Sequence, residues 1–324
     1  MSYPKKHHYV PQFVLRNFAS ENGTHLYVFD KQTAKVFSTN IANVAAENRL
    51  YEFSMDGVTT TIEPSLANFE SKAATVLREV LSCDALTHLT QHQRLILSRL
   101  VAHLLLRSPQ QRALMRHLNA ELRMVISAMG VDPDLAPQLK ALNENDEKLF
   151  TANVLSTLVE QFATIIADKN WILHSVSETE LLYISDNPVA MNNERKERHR
   201  GNLGLAVEGI EVYLPLSRTR CLGMYCSTLA SEIIGAYEGY QQMSTVLGLP
   251  LPPAPPEAAS RLYRAFRTGE ISPLPKESVL FINSLQVWNA ERYVYSSSDD
   301  FDLACDMVIT DPDIRKGPRP RVGG

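Results

Sequence analysis

Residues 5–18 read KKHHYVPQFVLRNF and crowd proton-active and hydrogen-bonding groups among core-forming ones. His7, His8, Gln12 and Arg16 stand beside Tyr9, Val10, Phe13, Val14, Leu15 and Phe18. Histidine exchanges protons and binds metal near neutral pH. Adjacent side chains of an extended segment point to opposite faces, so one of His7 and His8 is expected in any given site. Two histidines this near an end are ordinarily a solubilising cluster. Here the apolar neighbours demand burial, and burying them carries His8 and Gln12 inward. Arg16 in that setting needs an acidic partner. Glu63 or Glu70 would make a structural ion pair, and a ligand's anion would make it a clamp.

Further along, RSPQQR sets Arg107 at a helix end and Arg112 in the next helix start. Two arginines beside free helical N–H groups can hold an anion, although Arg107 could equally bond the carbonyls ending its own helix. In LLYISDNPVAM an apolar strand runs into Ser185, Asp186, Asn187 and Pro188. A carboxylate and an amide held there by proline suit a site, and they also suit a plain Asx turn. NNERKERHR follows, a basic run at 195–200 that reads as a solvated loop or a lid over phosphate. Arg112 and His117 match the R-x4-H pattern of some metal-independent ribonucleases, a spacing that chance supplies readily. No Gly-rich phosphate loop, HExxH, GxSxG, EF-hand or zinc pattern is present.

The formal charge of −4 and pI of 6.2 give no global attraction to nucleic acid or anionic membrane. Cys83, Cys221, Cys226 and Cys305 are scattered and read as packed free thiols. Without a secretory signal, or an apolar run near the roughly 20 residues that span a bilayer, a cytoplasmic protein with no membrane partner is expected.

These side chains need elements to hold them. LYVFDKQTAKVFST alternates around the polar turn Asp30–Ala34 as a hairpin does, and NRLYEF suits a third strand. From Pro64 the period becomes helical, and Thr90 with Gln93 forms a capping box for a second helix that RSP ends. Helices are expected over 110–129 and 145–168, then strands in WILHSV, LLYIS, GIEVYLPL and CLGMYC. A helix over 229–247, a proline-rich spacer and two helical stretches, SRLYRAFR and VLFINSLQVWNAERYVYS, complete the pattern. Strand-rich parts (1–60 and 170–228) and helical parts (63–168 and 229–296) do not alternate as βαβ units do. The expected fold is α+β, one domain over 1–312 with a mainly antiparallel sheet packed on long helices, and the second strand set is expected to join the first in that sheet. Residues 313–324 read as a flexible basic tail.

Taken in order, HHYVPQFVLRNF, YVFDKQTAKVFS, IEPSLANFESKAATVL, RSPQQR, ISDNPV, VYLPLS and INSLQVWNAERYVYS resemble the bacterial domain-of-unknown-function 4238 family, from His7 to about Ser296. The resemblance implies that His7, His8, Pro11, Gln12, Arg16, Phe18, Glu70, Arg107, Asp186, Asn187 and Pro188 occupy recurring positions. It brings no activity. Recurring polar groups from both chain ends suggest one shared site, with His7 or His8 as acid/base, Asp186 orienting it or binding a divalent metal, and Gln12, Arg16, Arg107 and Asn187 binding ligand. The leading expectation is a hydrolase acting on a phosphodiester or nucleotide, nuclease-like, with nucleic acid or a nucleotide as partner. The alternatives are a non-catalytic module for a small anion or nucleic-acid end, and an interaction protein whose polar motif locks its core.

Overall fold

The computed structural model describes residues 5–20, 23–135, 139–195, 203–246 and 257–319. It begins with strand β1 (Lys6–His8), the one-turn helix α1 (Gln12–Leu15) and the hairpin β2 (His25–Asp30)–β3 (Lys35–Asn40). Short strands β4 (Ala46–Asn48), β5 (Glu52–Met55) and β6 (Val58–Thr61) lead to long helices α2 (Glu63–Ser82), α3 (Gln91–Leu106), α4 (Pro109–Ala128) and α5 (Glu144–Ala167). Then come β7 (Asn170–Ser175), β8 (Ile184–Ser185), β9 (Ala190–Asn192), β10 (Glu211–Ser217), β11 (Arg220–Tyr225) and α6 (Ser227–Val246). The chain closes with α7 (Glu257–Thr268), β12 (Ser272–Pro273), α8 (Lys276–Asn289), β13 (Tyr293–Ser296) and α9 (Asp302–Thr310). Among the described strands only β12 runs parallel to its neighbour, so the class is α+β.

Local chemistry sets these boundaries. Thr90 Oγ1 accepts the Gln93 N–H at 3.2 Å while Gln93 Oε1 accepts the Thr90 N–H at 2.8 Å, which closes the expected capping box on α3. Ser108 caps α4 in turn, so α3 and α4 are joined by Arg107 and Ser108 alone. Asp56 and Gly57 both have positive φ (52° and 78°), the two-residue turn that a tight β5–β6 hairpin requires. That Asp-Gly pair went unread in the sequence.

The strands form two principal sheets. One has the order β12-β7-β11-β10-β9, the other β3-β2-β13-β8. Only β8 of the second strand set therefore joins the N-terminal hairpin, and it does so through β13. This corrects the reading of VLFINSLQVWNAERYVYS as helical throughout. Helix α8 stops at Asn289, and Tyr293–Ser296 forms a strand, as its aromatic and β-branched residues favour.

One buried apolar cluster draws in Val10, Val14, Leu15 and Phe18 with Leu100 and Leu104 of α3, Ile166 of α5, and Leu214 and Leu222 of the five-stranded sheet. The apolar side chains of residues 7–18 are thus part of the core. Helix α5 is apolar and long enough to cross a membrane on length and composition, and here it lies along α3. Residues 313–319 of the expected free tail are docked: Ile314 is buried, Arg315 Nη1 donates to the Gln32 carbonyl at 2.7 Å, and Arg319 pairs with Glu291 at 2.6 Å. Residues 320–324 lie outside the described residues, as do 196–200 of the basic run. Its remaining member, Arg195, pairs with Glu208 and Glu232.

Phe18 is fully buried, so Phe18→Ala should cost about 3–5 kcal/mol in urea unfolding. A loss under about 1 kcal/mol, as surface substitutions give, would mean that the N-terminal segment is peripheral.

Candidate functional site

Strand β1 divides its two histidines between faces, as alternation requires. His7 points inward, stacked on Tyr51 at 5.6 Å, with Nδ1 accepting the Tyr51 N–H at 3.0 Å and lying 4.0 Å from the Glu63 carboxylate. Burial pushes the Glu63 carboxyl up, His7 holds it down, and Glu70 adds to the rise. His8 is half-buried on the other face. Its Nε2 lies 3.0 Å from the Gln12 amide nitrogen, and the Gln12 oxygen accepts Arg16 Nη2 at 3.1 Å. Donation therefore runs from Arg16 through Gln12 to His8, whose Nε2 accepts and whose ring is neutral. Burial, with the charges of Lys6, Arg107 and Arg16, pulls His8 down to about 4.

Arg16 corrects its expectation. Val14, Leu15 and Phe18 turn into the core while Arg16 stays exposed, so it needs no anionic partner. The desolvated guanidinium is Arg107, trapped where α3 gives way to α4 and 1 % exposed. Its Nη1 donates to Glu70 Oε1 at 2.8 Å, so Glu70 serves Arg107 and not Arg16. Its Nε and Nη2 are buried with no hydrogen-bond partner. His103, one turn earlier on α3, lies against Phe69 at 4.6 Å, and burial together with Arg107 and Arg99 pulls it down to about 3.

A second polar group lies on the far side of Tyr9. Asp186 Oδ1 accepts the Glu291 N–H at 2.7 Å, and its Oδ2 accepts the Arg292 and Tyr293 N–H groups, each at 2.8 Å. Burial pushes this carboxyl up, against the three amides and the nearby Lys31 charge. Lys31 is fully buried, donates to the Ala290 carbonyl at 2.6 Å, and is pushed down by its burial. Asn187 clips the end of α8, its Nδ2 donating to Asn289 O at 3.0 Å while its own carbonyl accepts Asn289 Nδ2 at 2.7 Å.

The two groups abut without merging. Arg112 donates to the Arg107 carbonyl at 3.2 Å, pairs with Glu47, and lies 6.0 Å over the ring of Tyr9, a side chain that also feels the Asp186 charge. His8, Gln12, Arg16 and Arg107 thus come together, with Glu70 as a fifth member. Asp186 and Asn187 belong to the other group, and no histidine is among the partners of Asp186. No group of three histidine, cysteine or acidic side chains among the described residues is arranged to hold a metal, so a divalent ion has no assigned ligands. Lys31, Glu291 and the bidentate Arg292–Asp30 pair (3.0 and 2.8 Å) were not anticipated. Lys31 sits in a polar turn, which reads as solvent-facing.

With this geometry the comparison with known families becomes informative. The family model "Protein of unknown function (DUF4238)" matches residues 6–300, nearly the whole chain. The chain belongs to the DUF4238 family. No curated protein matches this DUF4238 chain, and no solved structure matches it.

Asp186→Ala should destabilise the fold by roughly 3–5 kcal/mol, because it strips three buried amides of their acceptor at once. Chemical denaturation measures this directly, and an unchanged midpoint would return Asp186 to the list of free functional groups. The histidines add a pH signature. His8, His103 and His174 fall from an ordinary 6.5 to about 4, 3 and 4. The stability they contribute is present above the unfolded value and is lost as pH falls through the folded ones. His103→Gln should therefore flatten the loss of stability on acidification, and an unaltered slope would contradict this.

Proposed function

We propose that this DUF4238 chain binds a phosphate-bearing ligand at Arg107, with a phosphodiester or nucleotide as substrate and hydrolysis as the reaction. The observation that carries this reading is the half-paired guanidinium. A buried donor without an acceptor costs about 1–3 kcal/mol, and Arg107 leaves two of its nitrogens in that state. A completed ion-pair network would have served stability better. Phosphate oxygens are strong acceptors whose geometry fits the free Nε/Nη2 edge bidentately.

The surroundings support the same ligand. Lys6, Arg16 and Arg107 make the environment of His8 cationic, and this is what depresses its protonation beyond burial. A bound phosphate dianion would offset that field and restore the basicity of His8. In hydrolysis, Gln12 would release His8 Nε2. Water would attack phosphorus and pass its proton to that nitrogen as the P–O bond to the leaving alkoxide breaks, the alkoxide then taking that proton from His8. Arg107 and Arg16 would balance charge developing on the phosphoryl oxygens.

A second reading, binding without turnover, is favoured by one fact: at about 4, His8 is a weak base until a ligand raises it. The two readings differ in a single assay. Inorganic phosphate and nucleotides should raise the melting temperature of the wild type and leave Arg107→Met unmoved, with saturating ligand (about 100 Kd) adding about 2.7 kcal/mol. His8→Gln should keep binding and lose hydrolysis of a phosphodiester. Binding without hydrolysis in the wild type would leave the recognition module, and no phosphate effect at all would overturn both readings.

A further inference from the structure

We infer that the crevice between α7, α8 and the five-stranded sheet is a second ligand site, shaped for a single aromatic ring bearing a carboxylate. It lies apart from the Arg107 group and does not depend on the function proposed there. Its volume is about 100 Å³, and its walls include His174, Tyr213, Tyr225, Arg261, Ser278 and Phe281. Tyr213 stands edge-on to Tyr225 (6.0 Å, 87°) and to Phe281 (6.2 Å, 87°). Edge-to-face contact of this kind is what a flat ring seated against these aromatic walls would continue.

Behind the aromatic walls runs a chain of polar groups that core packing does not call for. Tyr213 Oη donates to Glu211 Oε2 at 3.1 Å, and Tyr225 Oη lies 2.8 Å from His174 Nε2. The backbone makes room for this chain at Gly223. A methyl group there would stand 2.8 Å from His174 Nε2 and 2.9 Å from Tyr225, so any other residue would push the pair apart. Burying an imidazole, two phenols and a carboxylate together is costly relative to apolar packing. His174 is neutral in consequence, pulled down to about 4 by burial. The Arg107 site uses none of these groups.

Size and charge select the ligand. An apolar cavity of roughly 150 Å³ holds a benzene ring. This smaller, half-open crevice would take the ring and leave a substituent at its mouth. Arg261 lines that mouth, and its partner Glu257 is four residues earlier on α7 and 83 % exposed. Arg261 itself is only 16 % exposed, but its partner carboxylate stands in solvent, which screens the pair, so Glu257 holds the arginine weakly. The guanidinium is therefore free to exchange Glu257 for a ligand carboxylate, which it can meet bidentately.

The test uses the full chain with benzoate as probe, read by thermal shift and by the resonances of Tyr225 and Phe281. Benzoate should bind saturably and raise the melting temperature. Acetate, which has the carboxylate without the ring, should do neither. Arg261→Ala should weaken benzoate by roughly tenfold or more, the effect of losing a hydrogen bond to a charged group. Ser278→Phe, which fills the crevice, should abolish binding while leaving the phosphate response unchanged. The inference is overturned if benzoate fails to saturate, if acetate matches it, or if both variants bind like the wild type. Should Ser278→Phe fail to fold, mapping benzoate on the wild type decides the matter, and shifts confined to other residues would overturn the site.

Discussion

The burial of Asp186 is tolerable because three consecutive backbone amides, those of Glu291, Arg292 and Tyr293, converge on its carboxylate. Those amides form the turn between α8 and β13, so satisfying the carboxylate fixes where β13 begins. Strand β13 is an inner strand of its sheet, with Val294 opposite both Ser185 and Phe29. From that register follow the Arg292–Asp30 pair, the contact of Lys31 with the Ala290 carbonyl, and the seat on which α9 packs. Chain segments more than a hundred residues apart are tied by this one acceptor.

Asp186 and Arg107 are both charged and both buried, yet they differ in completion. Every oxygen of Asp186 has a backbone partner, as a structural charge should. Arg107 shares one nitrogen with Glu70 and leaves two without acceptors. A complete network rigidifies, whereas a half-satisfied one costs stability, and this contrast is what supports the anion site proposed at Arg107. The division of labour follows. The SDNP segment holds the second sheet in register, and under the proposed function the residues around His8 and Arg107 would offer donors to an anion. Tyr9 and Arg112 join the two, so the site is built on the part of the core that Asp186 secures.

Much of this was legible in the sequence where local rules operate. The capping box at Thr90, the β2–β3 hairpin, the long helices and the burial of Val14, Leu15 and Phe18 all follow from spacing and composition. So did the placing of one histidine on each face of β1. What failed depended on distant partners. Nothing local distinguishes Arg16, which turns outward, from Arg107, which the two-residue link between α3 and α4 traps inside. The expected pairing of Asp186 with a histidine assumed that recurring polar residues share one site. In fact a carboxylate ending an apolar strand found its partners in the amides of a turn, and amides carry no side-chain signature. Tyr293–Ser296 was hidden for a related reason, since a helix with a strand three residues later reads as one apolar run.

The free edge of Arg107 is, on the proposed function, an anion site. A crystal structure grown with tungstate, a phosphate mimic with strong scattering, tests it most directly. Oxyanion density is expected within hydrogen-bond distance of Arg107 Nε and Nη2, with His8 or Gln12 as a further contact. Tungstate bound only elsewhere, with those two N–H groups facing protein carbonyls or ordered water, would contradict it.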